Sequence, residues 1–206
     1  MKARFITLEG GEGAGKTTNL VFIEHHLKQR GVDVLRTREP GGTPLGEDLR
    51  ALLLREGEVC AMAELLMVFA ARAQHVEQVI RPALVAGRWV LSDRFTDASY
   101  AYQGGGRGVP LDQISLLEMW IQQGLMPDLT LFLDLPLEVG MARARARGSS
   151  DRFESEQMSF FSKVQAAYRA RALLEPERIK SIDASGAIEV VQQAIARELD
   201  ALIARS

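Results

Sequence analysis

Along this chain, short runs of apolar, β-favouring residues alternate with longer stretches in which apolar positions recur every three or four residues. The short runs predict strands at 4–8, 32–37, 89–92, 129–135 and 178–182. The run 129–135 is nearly all apolar, as suits a strand buried on both faces. The longer stretches predict helices at 16–29, 46–54, 62–86, 111–123, 137–147, 157–174 and 187–205. In the helix from Met62, apolar positions 65, 66, 69, 73, 76, 80 and 84 form one stripe, and Pro82 should bend or loosen the last turns. Alternation of this kind points to βα units on a parallel sheet: an α/β fold with helices flanking five strands. No repeat or Pro/Ser-rich linker interrupts the pattern, so residues 1–206 read as a single domain.

Two glycine-rich stretches, Gly41-Gly42-Thr43-Pro44 and Gly104-Gly105-Gly106-Arg107-Gly108, are expected to be loops at the ligand-binding edge of such a sheet. A hydrophobic fraction of 47% and a charged fraction of 25% suit a soluble globule with a full core. The net charge of −2 offers no basic groove, so no nucleic-acid partner is expected. A single cysteine, Cys60, excludes an internal disulfide framework, and three histidines give no zinc-ligand spacing. A reducing, cytoplasmic setting is the expectation. No apolar signal segment precedes the first strand, and no apolar run approaches the roughly 18 residues of a membrane span.

The chemistry begins directly after the first strand. Gly10, Gly11, Glu12, Gly13, Ala14, Gly15, Lys16 and Thr17 spell G-x-x-x-x-G-K-[ST], with an apolar strand before and a helical pattern after. Glycines let successive backbone N–H groups turn inward around phosphate oxygens; the lysine reaches the β/γ-phosphates and the threonine hydroxyl takes a place on Mg²⁺. The helix that follows directs its positive end at the same anion.

Four further constellations stand out. Ser92, Asp93, Arg94 and Phe95 end the third strand: a strand-end Asp suits Mg²⁺, and Arg94 offers a planar fork for phosphate. Arg36 and Arg38, with Glu39, Pro40, Gly41, Gly42 and Thr43, make a second anion cradle after the second strand. Phe69 and Arg72 share a helix face and could stack and hydrogen-bond a base, although their spacing alone favours core packing and a simple ion pair. Arg143 and Arg147 share another face, and the Gly148-Ser149-Ser150-Asp151-Arg152 segment after them suggests a hinged, positively charged cover. A solvated basic helix end is the plainer explanation of that cluster.

Taken together, the motifs resemble the thymidylate kinase family of nucleoside monophosphate kinases. The resemblance rests on Leu8 to Thr18, on Thr37-Arg38-Glu39-Pro40-Gly41-Gly42-Thr43, on Ser92-Asp93-Arg94-Phe95, on Ala101-Tyr102-Gln103-Gly104 and on Pro127-Asp128-Leu129-Thr130, and it covers nearly the whole chain. It implies a three-layer P-loop kinase fold with a five-stranded parallel sheet, a short mobile lid at about 143–155, and Mg²⁺-dependent transfer of the ATP γ-phosphate to dTMP. It implies ATP contacts from Gly10 through Thr18, a metal site at Thr17 and Asp93, and a homodimer packed through helices. Arg38 and Arg94 would hold the dTMP phosphate, Phe69 would stack on thymine and Arg72 would reach its O4 edge. Ser99 and Gln103 would lie near the base, Tyr102 against the sugar, and Glu12 near the 3′-hydroxyl or the metal's water network. Adenine contacts would fall around Asp183, Ala184 and Ser185.

Some family members carry an arginine inside the phosphate loop. This chain has Gly13 and Ala14 there and resembles the bacterial type, with lid arginines at Arg143, Arg147 and Arg152. It departs from the pattern where many relatives place the stacking aromatic four residues before the base-reading arginine, because Val68 stands there and Phe69 is one place later. Other readings are a different nucleotide or deoxynucleoside kinase, or a nucleotide-dependent switch ATPase. Two arginine-bearing acceptor elements favour an acceptor that is already phosphorylated.

Overall fold

Strand β1 (Phe5–Gly10) is buried along its whole length, and its alternation sets the layering. Ile6 and Leu8 point to one side, into a core with Leu20, Ile23 and Leu27 of α1 (Lys16–Gln29) and with Val191, Ile195 and Leu199 of α9 (Ile188–Ala204). Phe5 points to the other side, against Val76, Ile80 and Phe95. Strand β4 (Leu129–Asp134) repeats the scheme: Leu131 and Leu133 join the first core, while Phe132 stacks opposite on Tyr168 of α8 (Met158–Leu174). A sheet apolar on both faces needs helices on both, and three layers result. These contacts come from a computed structural model that describes residues 2–55, 57–147 and 156–206, with only the backbone of Arg147.

Strands β2 (Val34–Arg38), β3 (Trp89–Asp93) and β5 (Ile179–Asp183) complete an all-parallel sheet of order β2-β3-β1-β4-β5. Every expected strand is present. β2 starts later than its apolar run suggests because the N–H of Val32 still closes the end of α1, donating to the Leu27 carbonyl at 3.1 Å. Strands β2 and β3 lie on one side of β1, β4 and β5 on the other, so strand order reverses at the carboxyl end of β1. Ligands of open α/β sheets sit at that reversal.

Two expectations need correction. The long helix expected from Met62 is α3 (Ala61–His75), a π turn at Val76–Ile80, and α4 (Arg81–Val85). Pro82 has no N–H to donate into the turn before it, and the helix widens just upstream. The glycine run expected to be a loop is helical instead: α5 (Thr96–Ser99) passes into a π segment, Tyr100–Gly106. Its glycines serve close packing. A Cβ on Gly105 would meet the Lys163 carbonyl at 2.8 Å, and one on Gly106 would enter the Phe160 ring. The remaining helices are α2 (Pro44–Leu54), α6 (Leu111–Gln122) and α7 (Leu137–Arg147).

Candidate active site

The loop after β1 turns on Gly10, Gly13 and Gly15, with φ of 151°, 70° and 84°. A side chain at position 13 would collide with the Gly140 carbonyl of α7, which gives a physical reason for the missing loop arginine. Gly15 caps α1 in left-handed geometry with no side-chain cap bond, and this leaves the first-turn N–H groups directed at the loop's hollow. Half-buried Lys16 lies across that hollow, its Nζ donating to the carbonyls of Gly10 (3.0 Å) and Gly11 (3.1 Å). Burial, and then the charge of Arg94, push its ammonium below the usual lysine range. Thr17 and Thr18 are exposed on the first turn.

Beside the loop, β3 ends at Asp93 and the chain reverses through Arg94 at φ 69°, a strained conformation for a residue with a side chain. Three hydrogen bonds pin it. Arg94 N donates to the Leu8 carbonyl (3.1 Å), Ser92 Oγ to the Arg94 carbonyl (2.7 Å) and Phe95 N to Glu9 Oε1 (2.7 Å). The reversal carries the guanidinium back over the sheet edge, where it donates to Tyr168 Oη (3.1 Å), Tyr102 Oη (2.9 Å) and Glu12 Oε1 (3.2 Å). Burial, then the nearby Asp97 charge, push the Glu9 carboxyl up to about 7. Asp93 Oδ1 is buried with no hydrogen-bond partner among the described residues, as a carboxylate suited to a cation would be.

On the other side of Glu12 and Arg94 opens a cleft. Its walls include Glu39, Arg50, Val68, Arg72, Ser99, Tyr102 and Gln103. Arg72 is wholly buried. Its Nε donates to Glu39 Oε2 at 2.7 Å, and its Nη2 donates to the Phe95 carbonyl and Ser99 Oγ, both at 3.0 Å. Its Nη1 is buried and has no hydrogen-bond partner among the described residues. Burial alone would raise the Glu39 carboxyl, but Arg72 and His75 outweigh it and hold it below the usual carboxylate range. Gln103 is fixed by donating to Glu64 Oε1 at 2.8 Å.

The expectation that Phe69 faces a base is not met. Phe69 is buried among Leu65, Tyr100, Val109 and Ile114, and its ring supports Arg72 from 4.5 Å, while Val68 lines the cleft. One residue turns a helix position by about 100°, which moves the ring from cleft to core. Arg38 also differs from a simple phosphate clamp. It pairs in register with Asp93, lies on the far side of it and holds Glu47 at 2.6 Å. There it borders a wider open cleft shared with Thr17 and Asp93. Arg50, with no motif to flag it, lines the same cleft as Arg72 and donates to the Pro40 carbonyl at 3.1 Å. The sequence reading likewise missed Glu9, Glu39, His75 and Tyr168. Glu9 and Glu39 lie inside recognised motifs, but no local signal marks the other two.

A smaller cleft of about 360 Å³ adjoins Glu12 between the phosphate loop, the start of α7 and α8. Arg143, expected at the transferred group, instead donates to the carbonyls of Ala184 (3.0 Å) and Ser185 (3.3 Å) and so anchors α7 on the loop after β5. Arg152, the Arg147 side chain and most of the expected lid lie outside the described residues.

The sequence model of the thymidylate kinase family matches residues 8–195. The chain is 58% identical over 205 residues to a thymidylate kinase of Teredinibacter turnerae, covering 98% of this chain and 100% of that protein. It is 53% identical to one of Methylococcus capsulatus, over 98% of this chain and 97% of the relative. Among solved structures, the thymidylate kinase of Ehrlichia chaffeensis superposes with a TM-score of 0.81 at 31% identity, covering 97% of this chain and 99% of the other.

Proposed function

Because this chain belongs to the thymidylate kinase family, phosphotransferases that move the γ-phosphate of ATP to dTMP, we propose that the phosphate loop receives ATP and the cleft beneath Arg72 receives dTMP. The products are dTDP and ADP. One observation carries the assignment of sites: Arg72, whose buried Nη1 has no hydrogen-bond partner among the described residues, lines a cleft that Glu12 and Arg94 separate from Lys16. A fixed N–H there suits the carbonyl at position 4 of thymine, and an amino group in its place would set donor against donor. Ser99 and Gln103 complete the base wall, with Tyr102 beside the sugar and Glu12 toward its 3′-hydroxyl. Val68 supplies apolar surface where an aromatic ring was expected.

The acceptor phosphate is already an anionic nucleophile, so the site needs positioning and charge stabilisation rather than a general base. Arg94, held by two tyrosines and Glu12, meets the phosphate between donor and acceptor. Arg38 adds charge from beyond Asp93, and Lys16 swings from the Gly10 and Gly11 carbonyls to the donor's phosphates. Thr17 and the orphaned carboxylate of Asp93 fit Mg²⁺. That ion would neutralise the donor's phosphate oxygens. The resemblance assigns charge on the transferred group to Arg147 and Arg152, while Arg143 anchors α7 on the loop after β5.

A second copy of the chain covers the face formed by α3 and α6. There Leu66 is 50% exposed and Trp120 73%, with Met62, Leu116 and Met119 beside them, an apolar stripe on two helices that pack together. Among the described residues no helix is long and apolar enough to cross a membrane, and a lone exposed cysteine fits the reducing cytoplasm. A coupled assay across dTMP, dUMP, dCMP and thymidine, with ATP and GTP as donors, tests the reading. Activity should be highest with dTMP and absent with thymidine; equal turnover of dCMP would defeat the role given to Arg72.

A further inference from the structure

His75 is the last residue of α3, one place before the π turn, and is wholly buried with both ring nitrogens engaged. Nδ1 is 2.9 Å from Glu39 Oε1 and Nε2 is 2.6 Å from Thr37 Oγ1. Glu39 is held ionised by Arg72 and can only accept, so Nδ1 carries the proton of that bond. The turn after β2 closes over the ring: Gly42 has φ 77°, and a Cβ there would meet the ring's Cδ2 and Nε2 at 2.6 Å. One imidazole thus ties β2, the Glu39-to-Gly42 turn and α3 together. A carboxylate bonded through one oxygen can still pivot, and a donor on its second oxygen removes that freedom.

The phosphoryl transfer uses no atom of His75. We propose that His75 is a positioning residue which, through Glu39, fixes the direction of Arg72 Nη1 in the acceptor cleft. It thereby sets the preference for a pyrimidine with a carbonyl rather than an amino group at position 4. This rests on the placement of the acceptor base against Arg72 described above. The geometric warrant is an unbroken chain of four side chains, Thr37, His75, Glu39 and Arg72, that ends on a guanidinium whose Nη1 has no hydrogen-bond partner among the described residues.

The chain can be tested end by end, because Asn places an N–H where Nδ1 stands and Gln places one where Nε2 stands. Steady-state kinetics with dTMP and dCMP would compare the full-length wild type with His75→Leu, His75→Asn, His75→Gln and Arg72→Ala. In His75→Leu, the KM for dTMP should rise about tenfold and the preference over dCMP should narrow by about the same factor. Its kcat and KM for ATP should stay within about twofold. His75→Asn should recover dTMP binding to within about threefold, whereas His75→Gln should resemble His75→Leu. If Asn and Gln behave alike, or if melting temperature falls while dTMP KM does not change, His75 is merely structural and the proposal is overturned. Should His75→Leu not fold, the Asn–Gln contrast decides alone. Arg72→Ala separates the two levels. Unchanged dTMP binding in that variant would defeat the cleft assignment itself, whereas a loss there with none in the His75 variants would defeat only the positioning role.

Discussion

Toward α1 and α9, the sheet presents Ile6, Leu8, Leu91, Leu131 and Leu133, whereas its other face carries Thr7, Glu9, Ser92 and Thr130 near the same strand ends. The centre of the first face is hydrocarbon, and on its flank Arg36 of β2 pairs with Glu24 of α1. On the second, these buried polar groups bond to one another or to the helices and turns packed on that face. Thr7 and Thr130 share a 2.7 Å hydrogen bond, and Asp97 joins them to Arg178. Burial would raise the Asp97 carboxyl, but Arg178 and Arg171 outweigh it and hold it low. Glu9 collects Phe95 N and the hydroxyl of Tyr168. The contrast separates two jobs: one face holds the domain together, while the other holds Arg94, Ser99 and Tyr102 in place at some cost in buried charge.

That division should be visible in mutants. Leu131→Ala, on the apolar face, should lower unfolding free energy by about 3 kcal/mol while leaving both substrate KM values unchanged in the folded protein. Chemical denaturation and kinetics on one preparation check it, and a large KM shift would blur the division. Glu9→Gln should act differently. Because the folded pKa of Glu9 lies near 7, above its unfolded value of 4.5, the native state keeps a proton that the unfolded chain has lost between those pH values. Stability therefore falls as pH rises through that window, by a few kcal/mol at most, and the penalty is complete above about pH 7. Melting curves from pH 5 to 8 should show a flatter slope in Glu9→Gln, whatever constant offset the altered hydrogen bonds add; parallel slopes would refute it. Val68→Ala should have the smallest effect, raising dTMP KM about threefold with little loss of stability, since it removes two methyl groups from the cleft wall. No change in KM would show that Val68 does not support the base.

The strands and the phosphate loop were legible because their signals are local: apolar runs five or six residues long, and glycines spaced for an anion. The strand-end Asp93 was legible for the same reason, whereas the two arginines of the expected second cradle pair with carboxylates, Arg36 with Glu24 and Arg38 with Glu47. What escaped was set by packing across the sheet. The run from Gly104 to Gly106 reads as a loop until α8 is seen pressing against it. Phe69 and Val68 differ by one position, and only the placement of α6 decides which of them faces the cleft. Arg50, His75 and Tyr168 lie within ordinary helix patterns, and the partners in His75–Glu39 and Glu9–Tyr168 are 36 and 159 residues apart. Arg143 shows the limit of charge patterns, since a basic helix face proved to be an anchor on Ala184 and Ser185.

Two separate anion sites, divided by Glu12 and Arg94, are the foundation of the proposed chemistry. Calorimetric titration of Lys16→Ala with dTMP, alongside its turnover, tests them most directly. Phosphoryl transfer should fall at least about a hundredfold while the dTMP dissociation constant stays within about threefold of wild type. Parallel loss of turnover and dTMP binding in that variant would contradict it.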